Sequence, residues 1–376
     1  MSLKSSLKSI ILALVAILFL AGCALPSMTP PPGYVETILP TTTSPAVSTV
    51  ISATAAPLIV PQKITTGNAS ALTVASKIPV SNVDKIRWSA DSATLGLITR
   101  NADAGGNSVF SAVLLDGKTL ATKAVFSPET GRIVDISPDG RLVASINDET
   151  STFDIYDMGD SNRNIVSITP QYTLNTAAFS PDGKYFSLSS NDNWQVEIYA
   201  LPDGLLVKTL TGFETAAPVY DAGYNGSNST ILWHARATLQ LQNIETGEMG
   251  ASVSGEDFFN SYTLSPDGAI LAGAAAKTVN NSYVFAVTLW NASDGTELRT
   301  LVLPDVSSDI AFSPDASMLA ATVGNNVLIY EVATGNQLAT LSGHSGQTNK
   351  VAFSPDGLSL VSTGEDNQLI LWQVPQ

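Results

Sequence analysis

One cysteine and two histidines are all the thiol and imidazole that 376 residues provide. With Cys23 alone, no internal disulfide can form, and the body of the chain has no thiol nucleophile. His234 and His344 lie far apart, and there is no His-Glu-x-x-His helix, Gly-x-Ser-x-Gly elbow or phosphate-cradling glycine loop. Charge is also scarce: only 14% of residues are charged, and 18 Lys and Arg face 33 Asp and Glu, for a net charge of −15. That balance argues against nucleic acid or an anionic lipid surface as a partner. These shortages leave little for a catalytic constellation, and no cofactor is expected. What the chain has in quantity is turn residues and short apolar stretches.

The amino terminus reads as an export signal over residues 1–23. Lys4 and Lys8 give it a positive start, and Ile10 to Leu20 is an apolar run of eleven. A bilayer span needs roughly 20 residues, so this run is too short to cross. It ends in Leu20-Ala21-Gly22-Cys23, which resembles a bacterial lipobox. The resemblance implies that Cys23 is lipidated and becomes the mature amino terminus. Residues 24–63 are rich in Pro, Thr, Ser and Ala, as in Pro30-Pro31-Pro32 and Thr41-Thr42-Thr43-Ser44-Pro45. Such a segment cannot bury a core, and it is expected to be a disordered tether. The expected location is the cell envelope, facing outside the cytoplasm. The outer leaflet of the cytoplasmic membrane and the outer membrane both remain open.

Residues 64–376 repeat one phrase seven times. Four copies of the turn are intact, Ser137-Pro138-Asp139-Gly140 and those beginning at Ser180, Ser265 and Ser354. A fifth reads Ser313-Pro314-Asp315-Ala316, and degraded copies stand at Ser89 and Asn225. Proline pre-sets φ at the second position, and serine and aspartate bond locally. Strand-like stretches flank each turn, and a third stretch often ends in an aromatic, as in Ile155-Tyr156 or Leu371-Trp372. A Gly turn and a fourth stretch follow. Four strands at a period of roughly 40–50 residues predict an all-β, seven-bladed β-propeller with four antiparallel strands per blade. Ser127-Pro128-Glu129 lies too close to Ser137 to start a blade and reads as an inter-blade loop.

The last repeat stops at its third strand. A strand upstream, at about Ala71–Ala75, is expected to supply the fourth by pairing with Leu369–Trp372. Two residues before each turn the chain carries small or neutral residues, except for Arg87 in blade 1 and Asp135 in blade 2. A lone buried charge there would cost several kcal/mol, so the two are expected to pair across the blade boundary.

Gly343-His344, Val351-Ala352-Phe353-Ser354-Pro355-Asp356-Gly357, Leu360-Val361-Ser362, Asp366 and Leu371-Trp372 together resemble a WD repeat. The resemblance implies a hydrogen-bonded structural tetrad of His344, Ser362, Asp366 and Trp372. The other six repeats lack the Gly-His pair and mostly replace the Trp with Tyr.

In the scheme that this resemblance implies, loops between second and third strands share a face with loops between blades. Inserts at Asn101–Asn107 and Lys277–Tyr283 fall there, so this face is expected to hold the partner site. Candidate residues are Asn101, Asp103, Trp194, His234, Arg236, Phe258, Phe259, Asn280 and Asn281. Phe258 and Phe259 read either as contact residues or as filling between blades. The function expected is that of a membrane-anchored, monomeric head that binds a protein or polymer without making or breaking bonds. Two alternatives stand beside it: a lactonase-like hydrolase with a central metal, and an accessory or sensor subunit of an envelope complex. Asp148, Glu149, Asp192 and Asp366 fall in comparable loops, but no metal-ligand spacing singles them out.

Overall fold

The Ser-Pro-Asp-Gly turn is built the same way wherever it occurs. The protein is represented by a computed structural model that describes residues 61–375, apart from 104, 130, 172–173, 191–193, 213–218, 225–227 and 236. In each intact turn the serine hydroxyl donates to the aspartate two residues on, as Ser180 does to Asp182 at 2.7 Å. The same oxygen accepts the backbone N–H five residues on, as from Leu142 to Ser137 at 2.7 Å and from Ser359 to Ser354 at 2.9 Å. The degraded copy keeps this network: Ser89 donates to Asp91 at 2.6 Å and accepts from Thr94 at 2.8 Å. The fourth position is left-handed in the four intact turns, with φ near 70° at Gly140, Gly183, Gly268 and Gly357. Ser92 and Ala316 take the same conformation without being glycine, at φ 59° and 56°.

Each turn hands the chain from a first strand to an antiparallel second. Two further antiparallel pairings complete a four-stranded sheet, and there are seven such sheets. In blade 1 the strands are Val83–Trp88, Thr94–Ala102, Ser108–Asp116 and Thr122–Phe126. Blades 2 to 6 repeat that order, over 132–168, 174–211, 219–254, 261–303 and 307–342. At most blade boundaries the first strands of the two neighbours touch, so these strands line the ring's centre. The core lies between blades. Ala144, Phe153 and Ile155 of blade 2 pack on Phe179, Phe186 and Leu188 of blade 3, with the rings of Phe179 and Phe186 4.9 Å apart. Each of the large apolar side chains among them contributes roughly 1.5–3 kcal/mol.

Blade 7 takes its fourth strand from the other end of the sequence. Thr73–Pro79 lies antiparallel to Gln368–Gln373, with Ile78 opposite Leu369 and Val74 opposite Trp372. The expected closure is present, but its strand starts two residues later and ends four residues later than the sequence suggested. Ala69–Ala71 form a short 3-10 turn, and Leu72 follows it outside the strand. A bridge from Gln62 to Val374 and a bond from Ile64 N–H to Gly357 O (2.8 Å) extend the join. The signal, Cys23 and the tether up to residue 60 lie outside the described residues. Among those described, no helix is long and apolar enough to cross a membrane.

Candidate partner-binding face

The two inserts are longer hairpins, not free loops. The second and third strands of blade 1 have nine residues each, and those of blade 5 (Ile270–Val279 and Ser282–Asn291) have ten. In blade 5 the ladder runs to Val279 opposite Ser282. Only Asn280 and Asn281 are left for the turn, at φ 50° and 61°. Positive φ at both central residues is the geometry that matches strand twist, and asparagine tolerates it. In blade 1 the Asp103 carboxylate accepts the N–H groups of Gly105 and Asn107, each at 2.8 Å, and the Asn107 side chain at 3.1 Å. Asp103, Asn280 and Asn281 therefore shape hairpin tips. Asn101 is exposed, paired opposite Val109 near its tip.

The aromatic candidates divide by burial. Phe259 is buried, edge-on to Trp290 at 5.8 Å, and it fills space beside Gly273 where a Cβ would come within 2.7 Å of its ring. His234 is buried as well, with the ring of Tyr262 4.6 Å away. Trp194 is half-buried against the core between blades 3 and 4. Arg236 lies outside the described residues. Phe258 is 48% exposed and Tyr283, at the foot of the Asn-Asn turn, is 65% exposed. Asp257 joins their two segments: the Tyr283 hydroxyl donates to its carboxylate at 2.7 Å, and Phe258 N–H donates at 2.8 Å. The phenol holds the Asp257 carboxyl below its usual range, helped by the Phe258 N–H. Glu256 also accepts Thr278 N–H at 3.0 Å. The inter-blade segment 255–260 and the blade-5 hairpin thus form one braced platform with two exposed aromatic rings. Sequence reasoning singled out Phe258 but passed over Tyr283, an aromatic beside a polar two-residue turn.

In blade 7, His344 Nδ1 lies 2.9 Å from Asp366 Oδ1 and Nε2 lies 2.8 Å from Ser362 Oγ. Trp372 Nε1–H donates to the same Oγ at 2.9 Å. Burial by itself would raise the Asp366 carboxyl, but His344 and Ser345 N–H outweigh it and hold the carboxyl low. Gly343 precedes the histidine because a Cβ there would meet the Trp372 ring at 2.7 Å. Lys77, on the closing strand, donates to Gly343 O at 3.1 Å and stands 3.6 Å from Asp366. The tetrad thus touches the strand that closes the ring.

This is a β-propeller whose last repeat is similar to a WD repeat. Residues 335–373 match the model of the WD domain, G-beta repeat family. An intraflagellar transport protein 122 homolog of Danio rerio is 39% identical over 64 residues, 17% of this chain and 5% of that protein. An uncharacterized WD repeat-containing protein of Synechocystis is 32% identical over 119 residues, 31% of this chain and 32% of that protein. The small ribosomal subunit protein RACK1 of Drosophila melanogaster is 26% identical over 158 residues, 40% and 45% of the two chains. The chain thus spans less than half the length of each of these relatives.

Blade 4 of the propeller builds the tryptophan bond in reverse. Trp233 sits on the second strand, opposite Gln240 and one residue beyond Leu232, and donates to Gln242 Oε1 on the third at 2.9 Å. Gly212 stands against its ring as Gly343 does against Trp372. At the centre of the propeller, Arg87 Nη2 meets both oxygens of Asp135, at 3.0 and 2.8 Å. Lys85 adds a contact of 2.7 Å, and Phe179 N–H of blade 3 adds one of 2.9 Å. Among the described residues, no three His, Cys, Asp or Glu side chains gather as a metal-ligand set.

Proposed function

We propose that this protein is a lipid-anchored propeller of the cell envelope, held outside the cytoplasmic membrane through Cys23. In this reading it binds a protein or polymer partner and makes or breaks no bond. The observation that carries it is the platform of Phe258 and Tyr283. Two large aromatic side chains stand exposed on a braced, loop-bearing face, and exposed aromatics on a rigid support are typical of contact surfaces. The names of some relatives support the same reading, since they describe parts of assemblies: a small ribosomal subunit protein and a target of rapamycin complex subunit. The lipobox-like Leu20-Ala21-Gly22-Cys23 and the proline-rich stretch after it support the anchoring.

The test has two arms. Cys23→Ala should move the protein from the membrane fraction to the soluble fraction and abolish incorporation of labelled fatty acid. The double substitution Phe258→Asp and Tyr283→Ala should remove partners that cross-link to the wild type in intact cells, while the melting temperature stays within a few degrees. A protein that stays in the membrane without Cys23 would overturn the anchor. Undiminished cross-linking by the folded double variant would move the contact surface elsewhere.

A further inference from the structure

The cavity at the propeller's centre is lined by cations although the protein is acidic. It has a volume of about 690 Å³ and opens among the innermost strands of blades 1 to 5. Lys85 and Arg87 of blade 1 and Arg132 of blade 2 line it. Thr176, Asn260 and Ser261 bring hydroxyl and amide groups from blades 3 and 5. The carboxylate beside these cations is Asp135, which is fully buried and already takes both Lys85 and Arg87. Asp309, which accepts from the lining Ser261 at 3.1 Å, has the charge of Lys350 beside it, so among the described side chains the three lining cations still outnumber Asp135. The Arg132 side chain has no hydrogen bond or ion pair among the described residues. Arg87 Nε–H is buried and has no hydrogen-bond partner. A buried orphan donor costs about 1–3 kcal/mol, so a chain that keeps one beside surplus cations has room there for an acceptor.

We infer that this cavity is a binding site for a small organic oxyanion that carries phosphate or carboxylate groups. Arginine forks match both oxyanions, and charge-assisted bonds of this kind are roughly twice as strong as neutral ones. The volume lies in the range of small-molecule sites, about 300–1,000 Å³, and Tyr224 and Tyr262 in its wall supply surface for the ligand's organic body. Arg132 begins the innermost strand of blade 2, and Asn260 immediately precedes that of blade 5. Both are exposed, so the cavity opens on the face that bears the inter-blade loops. The acidic remainder of the protein does not cancel this field at close range, because exposed charges are screened beyond about 8 Å at physiological salt. The site is separate from the aromatic platform, and the inference does not depend on any macromolecular partner.

Isothermal titration of the full-length protein with pyrophosphate and with citrate, in chloride buffer matched for ionic strength, tests it. The expected result is saturable one-to-one binding of at least one probe. The two arms separate phosphate from carboxylate recognition. Arg132→Gln removes an exposed, unpaired cation and should weaken binding about tenfold or more, with an unchanged melting temperature. Asn260→Asp, which sets a carboxylate at the mouth, should weaken it comparably. Lys118→Gln, far from the cavity on an exposed turn, should leave it unchanged. Absence of saturable binding by either probe up to about 10 mM overturns the inference. So does a loss in folded Arg132→Gln and Asn260→Asp no greater than in Lys118→Gln.

Discussion

Asp135 and Asp309 both hold three consecutive blades together at the ring's centre, in opposite electrostatic settings. Asp135 of blade 2 takes Arg87 and Lys85 from blade 1 and Phe179 N–H from blade 3. Asp309 of blade 6 takes the Ser261 hydroxyl from blade 5 at 3.1 Å and Val351 N–H from blade 7 at 3.0 Å. Burial pushes both carboxyls up. At Asp135 the two cations and the N–H overcome burial, and the group sits below its usual value. At Asp309 the charge of Lys350 and the neutral donors are not enough, and the group stays above it. The same stapling geometry therefore stabilises the ionised form on one side of the ring and penalises it on the other.

Removing Asp135 should have the largest effect. Asp135→Ala leaves Arg87 and Lys85 without their counter-charge and should cost about 3–5 kcal/mol, measured by urea unfolding. The pair Arg87→Met with Asp135→Leu should recover only part of that loss, because an apolar pair can match a buried ion pair but leaves Phe179 N–H and Lys85 without their acceptor. If the single variant unfolds like the wild type, the cross-blade staple is not what holds blades 1 to 3.

His344→Ala takes away a within-blade tie and should cost about 1–3 kcal/mol through the unsatisfied Ser362 and Asp366. Its effect should add to that of Asp135→Ala, since the two share no partner. Strong non-additivity would mean that the centre and blade 7 are coupled.

The pH dependence should separate the two aspartates. Asp135 has a depressed folded value, so its contribution is complete above the unfolded value of 3.8 and is lost as pH falls through the lower folded one. Asp309 has a raised folded value, so its contribution is complete below 3.8 and is lost as pH rises through the folded one. Asp309→Asn should therefore leave stability at pH 7 within about 1 kcal/mol of wild type, on the stable side. That margin should shrink as melting is repeated toward pH 4. A large loss at pH 7 would reverse the assignment of Asp309.

Ala316→Gly should give the smallest change. It relieves a left-handed alanine in the turn that follows the Asp309 strand, and a gain of about 1 kcal/mol or less is expected in thermal melts. The equivalent change at Gly140, Gly140→Ala, should lose about as much and show whether the two sides of the ring share one turn energetics.

The fold was legible because its turn is chemical: serine, proline, aspartate and glycine each do a local job that recurs at a fixed interval. Arg87 and Asp135 were legible as two charges where other blades carry small residues, while Lys85, two residues away, was not. Asp309 escaped because the position four residues before each turn carries acids, bases and neutral residues alike, so no contrast flags it. The inserts read as loops because Asn101 to Asn107 has no period-two alternation, yet the ladder extends through exposed polar positions. Trp233 and Gln242 escaped because their donor and acceptor have exchanged strands. Among the aromatic candidates, burial distinguishes Phe258 from Phe259 and sequence does not.

The join between Thr73–Pro79 and Gln368–Gln373 has a consequence for timing. Thr73 and Gln373 meet across 300 residues. A chain made from its amino end delivers the closing strand first and its partner last. Until then the structure is an open arc with a bare β-edge at either end, and folding by contacts this remote is slow. During that interval the edge can pair with the matching edge of another copy, giving two arcs exchanged between molecules. Lys77 on the early strand meets Gly343 and Asp366 only once the arc has closed on itself or on a neighbour.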